Sequence, residues 1–310
     1  MALLTRKRLL LIETESSYGT DPTLTGADVV LVRDLSVVPQ QSDIVSRDLI
    51  RPYLGASEQL LANTRVECTF SVELAGSGAA GTAPQYGKAL KACGLSETIV
   101  ASTSVTYAPV SASFESVTIH YNLDGVRHIV TGARGTFTIN GSVGEIPTID
   151  FTFTGIYNAP TDSTQPSVTY ANQATPLIFK QGNTTGFQLL SHAGSLSNFS
   201  LDLGNEIVYR ELIGATKEVL LTNRSASGSA TIEAVAISAK DYFAAALGDS
   251  LGNLTFTHGT TAGNKAQVTS TRVDIADVSY GEQDGIAMLE IPYTMVPSTS
   301  GNDEVSIVYT

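Results

Sequence analysis

IVSRDLI at Ile44–Ile50 returns as IVYRELI at Ile207–Ile213, 163 residues later. The echo continues in order: Gly55, Ala56, Ser57, Leu61 and Arg65 are answered by Gly214, Ala215, Thr216, Leu220 and Arg224 at an offset of 159, as if the second copy had lost the four residues Arg51 to Leu54. YGKALKACG at 86–94 has a shorter counterpart in YFAAALG at 242–248, and IDFTFT at 149–154 faces LEIPYT at 289–294. Four collinear matches whose offsets fall from 163 to 140 describe one structural unit written twice. The chain must therefore fold into two like units, a first domain over 1–160 and a second over 177–310. They are joined by the segment 161–176, which is rich in Pro, Ser and Thr and nearly free of apolar residues.

Length agrees, since 310 residues can bury two cores of ordinary size. Charged residues make up 15% of the chain, well below the usual quarter, with Ser, Thr and Gly in their place. Such a surface is polar but weakly charged, as in proteins that bury much of it against neighbours. The net charge of −12 repels nucleic acid and anionic membranes, which argues against a DNA-reading function. The apolar run Leu9–Ile12 is too short for a signal segment or a membrane span, so an intracellular site of synthesis and function and no membrane partner are expected. Cys68 and Cys93 make no CxxC pattern and read as buried thiols.

Period-two and β-branched runs dominate both halves, for example RVECTFSVEL at 65–74, IDFTFTGIY at 149–157, ATIEAVAIS at 230–238 and AMLEIPYTMV at 287–296. The fold class expected is mainly β: two tandem β-sandwich or barrel domains, each with one short helix on its sheet. The helices are placed at Gln85–Cys93, after Pro84 and before Gly94, and at Lys240–Leu247, before Gly248. Hairpin turns are expected at LDG (123–125), NG (140–141) and LGN (203–205).

No catalytic or cofactor pattern emerges. The glycines of ELAGSGAAGTAP at 73–84 precede a helix, but no Lys-Ser/Thr pair closes the loop and the spacing is not GxGxxG. His120, His128, His192 and His258 form neither HxH nor HExxH, and no GxSxG elbow singles out a nucleophile. An enzyme, a cofactor and a metal are therefore not expected.

The recurrent segment is the informative one: Ile44, Val45, Arg47, Asp48, Leu49 and Ile50, and again Ile207, Val208, Arg210, Glu211, Leu212 and Ile213. Its apolar surplus fits either a core strand or a projecting hairpin. In the second case a neighbouring subunit covers the apolar side and Arg47 and Arg210 pair across the contact. The extra residues beside the first copy favour projection.

Three blocks carry a resemblance: ETESSYGTDPTLTGADVVLV at 13–32, ELAGSGAAGTAPQYGKALKACG at 73–94 and GARGTFTINGSVGEIPTIDFTFTGIYNAPTD at 132–162. They resemble the major tail tube protein of long, flexible-tailed bacteriophages, strongly over the first half and through the duplicated pattern in the second. The resemblance implies a structural virion protein, assembled in the host bacterial cytoplasm. Its stacked rings enclose a channel for double-stranded DNA, each domain adding about four strands to an inner barrel. It also implies contacts with a tape measure protein and with tail terminator and distal tail proteins. Family rings hold six such domains, so a two-copy chain suggests three chains per ring; six chains with the second domain outside is the alternative. A barrel of ~24 strands about 4.8 Å apart and tilted ~40° has a backbone diameter near ~48 Å, wide enough for a duplex. Glu67, Glu73, Asp150, Glu233 and Glu290 are candidate lumen-lining acids, which would keep phosphate from adhering. The competing class is a two-domain β-sandwich carbohydrate-binding or adhesin-like module, although such modules usually present aromatic platforms and Trp is absent.

Overall fold

The computed structural model describes residues 3–248 and 251–310. The first half runs β1 (Arg8–Thr14), β2 (Val29–Val30), β3 (Arg33–Ser46), β4 (Gln59–Glu73), α1 (Gly87–Ala92), β5 (Leu95–Val100), β6 (Ser104–Pro109), β7 (Val117–Leu123), β8 (Val126–Ser142) and β9 (Thr148–Tyr157). A short β10 (Thr161–Asp162) follows. The second half runs β11 (Thr184–Leu189), β12 (Leu196–Asp202), β13 (Asn205–Arg210), β14 (Glu218–Arg224), β15 (Ser227–Glu233), α2 (Tyr242–Leu247), β16 (Gly252–His258), β17 (Ala266–Ile275), β18 (Ser279–Gln283), β19 (Ile286–Met295) and β20 (Ser306–Tyr309).

The duplication is visible in the pairing. In the first half neighbours run β3-β4-β9-β8-β7-β1. In the second, β12-β15-β19 continues through β18 and β17 to β16 and β11, with β17 and β18 together standing where β8 stands. Every one of these pairings is antiparallel. Likewise β12 and β13 divide the counterpart of β3, and β14 and β15 the counterpart of β4.

The two halves share one front sheet. The far half of β8 pairs with β9 on one side and with β12 on the other, Asn140 opposite both Thr148 and Ser200. The sheet therefore runs without a break through eight strands, β3-β4-β9-β8-β12-β15-β19-β18. Alternation decides its faces. Val66, Cys68, Phe70 and Val72 of β4 are buried, as are Ile149, Phe151 and Phe153 of β9, Phe199 and Leu201 of β12, and Leu289, Ile291 and Tyr293 of β19. Phe70 stacks on Phe151 with centroids 5.2 Å apart, and Phe199 meets Phe256 edge-on at 4.7 Å.

A second layer covers this apolar face. The near half of β8 bends away to pair with β7, and the final strand β20 slots between β6 and β17, binding both halves again. Around it the rings of Tyr86 and Tyr107 meet Tyr309 edge-on, with the Tyr86 and Tyr309 hydroxyls 2.9 Å apart. Helix α1 presents buried Ala89, Leu90 and Ala92 to this core, while Lys88 reaches Glu13 at 2.6 Å and Asp28 at 2.9 Å. In α2 the Asp241 side chain caps the first turn by accepting from the Ala244 amide. The connecting segment is tied along the first half: Ser163 N donates to Gly125 O, Thr169 N to Gly26 O and Ala174 N to Gly76 O.

Two of the three expected turns are not turns. LDG is the β7–β8 hairpin, with Asp124 and Gly125 both at positive φ. Asn140 and Gly141 instead lie inside β8, where the glycine admits the Phe179 ring; a Cβ there would meet it at 3.1 Å. The chain turns just beyond, around Gly144 at φ 93°. At LGN the chain kinks from β12 into β13, with Gly204 at φ 63° and so close to Ser225 O that no side chain fits.

Two outcomes are expected. Phe151→Ala should cost about 3–5 kcal/mol in denaturant unfolding, because it opens a cavity in the shared core. Burial lowers the pKa of His258 below its ordinary 6.5, its Nδ1 and Nε2 lying 2.9 Å from Thr184 Oγ1 and 3.1 Å from Leu177 O. The unfolded chain then binds the proton more readily, so this stability is complete above pH 6.5 and is lost as pH falls through the lower folded value. The urea midpoint should therefore drop between about pH 7.5 and about pH 5, and less so in His258→Gln.

Candidate assembly surfaces

Both copies of the repeated segment fold as hairpins. In the first, Ile44 sits opposite Leu61 and Val45 opposite Leu60; in the second, Val208 sits opposite Leu220 and Tyr209 opposite Val219. The long first hairpin outruns its sheet, since β9 supports β4 only from Arg65 onward. Its far end is therefore a two-stranded ribbon with two open faces. Ile44, Val45, Leu49, Tyr53, Leu60 and Leu61 are exposed, and Ile50 and Leu54 fully so. In the second hairpin Val208, Leu212 and Ile213 are exposed and Ile207 half-buried. Asp48, Arg210 and Glu211 are also exposed. Arg47 binds Glu58 of its own hairpin at 2.9 Å, and Glu211 binds Lys217 at 3.1 Å.

The hairpins differ in what lies behind them. The base of the second is seated on the outer surface of the first unit, and Val219 is 0% exposed. Its amide donates to Tyr18 Oη at 2.6 Å, its carbonyl accepts from Arg134 Nη1 at 2.7 Å, and Asn205 Nδ2 donates to Cys93 O and Gly135 O. Leu60, which matches Val219 in the repeat, is 54% exposed. Nothing in the sequence singled out Tyr18, Arg134 and Asn205 as this clamp, because their partners are backbone atoms of distant segments.

The second surface is the front sheet's other face. Register puts Glu67, Glu73 and Asp150 on it, opposite Thr154, Thr148 and Ser71. Glu233 and Glu290 follow in the second unit, opposite Met288 and Thr231. All five candidate acids thus share one face of one sheet, with Asp202 as a sixth that the sequence reading missed. Most positions between them are Ser, Thr or Asn. Glu73 has Arg33 at 3.8 Å, and Asp150 accepts from Asn140 Nδ2 at 2.7 Å. The strip is polar and acidic, with Arg33 beside Glu73 at its edge.

The front sheet also ends in two open edges. Among the described residues, β3 pairs with β4 alone at one end and β18 with β19 alone at the other. Such edges invite another strand. Among the described residues no group of three or more His, Cys, Asp or Glu is placed to hold a metal ion, and no helix is long and apolar enough to cross a membrane. Cys68 and Cys93 are free and buried, and burial pushes the Cys68 thiol up to about 12.

A tandem β chain with an acidic polar face, open edges and projecting apolar hairpins has the features of an assembly subunit. The family model described as phage tail tube protein matches residues 5–295, and the chain belongs to that family. It is thus a structural component of a bacteriophage tail tube, in a family of structural proteins that self-assemble. No curated protein matches the chain.

Because the exposed hairpin residues touch little of their own chain, Ile50→Ser, Leu54→Ser and Ile213→Ser should each shift unfolding stability by less than about 0.5 kcal/mol. Circular dichroism melts check this directly; a loss of several kcal/mol would mean that these side chains hold the protomer together.

Proposed function

We propose that three copies of this chain close into a ring with pseudo-sixfold symmetry, and that stacked rings form the tube through which double-stranded DNA leaves the virion. The observation that carries this reading is the unbroken eight-stranded front sheet. Three such sheets supply ~24 strands, enough for a barrel near ~48 Å across. Because the two units contribute neighbouring parts of one wall, the sheet favours three chains over six with the second unit outside. Ring closure also removes the open edges, which explains how so β-rich a chain stays soluble.

The acidic face then lines the lumen. Glu67, Glu73, Asp150, Glu233 and Glu290 keep the phosphate backbone mobile as it slides. The hairpin tips around Leu49–Leu54 and Leu212–Ile213 serve the contacts between subunits and between rings. Tape measure and terminator proteins are the expected partners inside the tube and at its ends, and assembly takes place in the host cytoplasm.

Replacing Ile44, Leu49, Ile207 and Leu212 together by Ser should leave the protomer folded but abolish tubes in electron micrographs of the purified protein. Unchanged tubes would contradict the hairpin assignment, and dispersed particles of the unaltered chain would contradict the conduit. Asp150→Lys with Glu290→Lys should make assembled tubes retain DNA at low salt and release it as salt rises. DNA held equally well by unaltered tubes would remove the lumen role of the acids.

A further inference from the structure

The two units of one chain already meet at a seam, and we infer that neighbouring chains meet at a copy of it: β18 of one chain pairs antiparallel with β3 of the next, Ser279 opposite Val38, Tyr280 opposite Val37 and Gly281 opposite Ser36. This rests on the ring reading above and gives it a register.

The register follows from the duplication. Inside the chain the seam joins β8 to β12, with Thr138 opposite Asp202, Ile139 opposite Leu201 and Asn140 opposite Ser200. Strand β18 stands to β19 as β8 stands to β9. Asn140 pairs with Thr148 and Gly281 with Met288, and Thr148 and Met288 correspond through the IDFTFT and LEIPYT match. Gly281 is therefore the counterpart of Asn140, Tyr280 of Ile139 and Ser279 of Thr138. At the other edge β3 stands to β4 as β12 stands to β15. Ser36 faces Thr69, which faces Thr152, while Ser200 faces Ser229, which faces Pro292, the counterpart of Thr152. Ser36 is thus the counterpart of Ser200, Val37 of Leu201 and Val38 of Asp202. Substituting each counterpart into the internal seam yields the three pairs named above.

Exposure supports the same seam independently. Ile139 is 1% exposed beneath its partner strand, whereas Tyr280, in the equivalent place, is 67% exposed, its ring tilted against Phe243 of α2. Behind the seam, Val219 is buried on the preceding unit while its counterpart Leu60 lies open. Leu221 sits over Gly94 at the end of α1, so near that a Cβ there would meet it at 3.0 Å; at the matching end of α2, Leu247 is 91% exposed. The surfaces left bare in one chain are those that the internal seam covers. No like charges oppose one another in the three pairs. A contact between two different edges of identical chains is heterologous, and it closes into a ring of three when the rotation from one chain to the next is a third of a turn.

Paired cysteines test it. Ser279→Cys with Val38→Cys, and separately Tyr280→Cys with Val37→Cys, sample the two alternating pair geometries of an antiparallel ladder, and both place the Cβ atoms within disulfide reach. Gln283→Cys with Val38→Cys is about four residues out of register and serves as the control. Buried Cys68 and Cys93 do not compete. After mild oxidation of assembled tubes, the in-register variants should run on denaturing gels as covalent species of up to three chains, while the control stays monomeric. If tubes form but neither in-register pair links, or if the control links as well, the seam is wrong and the ring reading stands. If electron microscopy of the same samples shows no rings, both fail.

Discussion

The hydrogen-bonded ladder between β8 and β12 is the interaction on which the rest of the molecule depends. Without it the halves would be two small sandwiches, each with exposed edges. With it they form one wall, and the register of five residue pairs aligns their faces. A slip of one residue would turn Phe199 and Leu201 toward the acidic side and Ser200 and Asp202 into the core. The core and the polar face are therefore specified by the same ladder. The C-terminal strand secures it from behind, since β20 can pair with β6 and β17 only when the halves sit in this relation.

Tandem duplication has a further physical consequence. A contact between identical units must be encoded in a surface that every copy carries, whereas a contact within one chain can be tuned separately. The second hairpin shows such tuning: Val219 replaces a leucine, the loop is four residues shorter, and Tyr18, Arg134 and Asn205 supply hydrogen bonds to hold it. The first hairpin keeps the longer loop, and its Leu60, the counterpart of Val219, lies open. The copies differ most in burial at Leu60 and Val219, 54% against 0% exposed, while Ile50 and Ile213 are equally bare at the two tips.

Much of this was legible in the residues. Period-two runs located most of the strands, Gly94 and Gly248 marked the helix ends, and IVxR(D/E)LI pointed to both hairpins. The acids fell on one face because alternation along β4, β9, β15 and β19 is strict. Asp202 belongs with them as the last residue of β12, one position before the chain kinks towards Gly204. Asn140-Gly141 misled: the pair is a turn signal locally, but Phe179 from the next unit claims the space above the glycine. Pairings such as Tyr107 with Ile307 are set by packing across 200 residues and leave no local trace.

The most direct measurement is a symmetry-resolved electron cryomicroscopy image of the assembled tube. Each ring should hold three chains, with sixfold-like density at low resolution giving way to threefold symmetry as the unequal hairpins become distinct. Six whole chains around the axis, with the second unit outside the wall, would contradict a continuous barrel built from both halves.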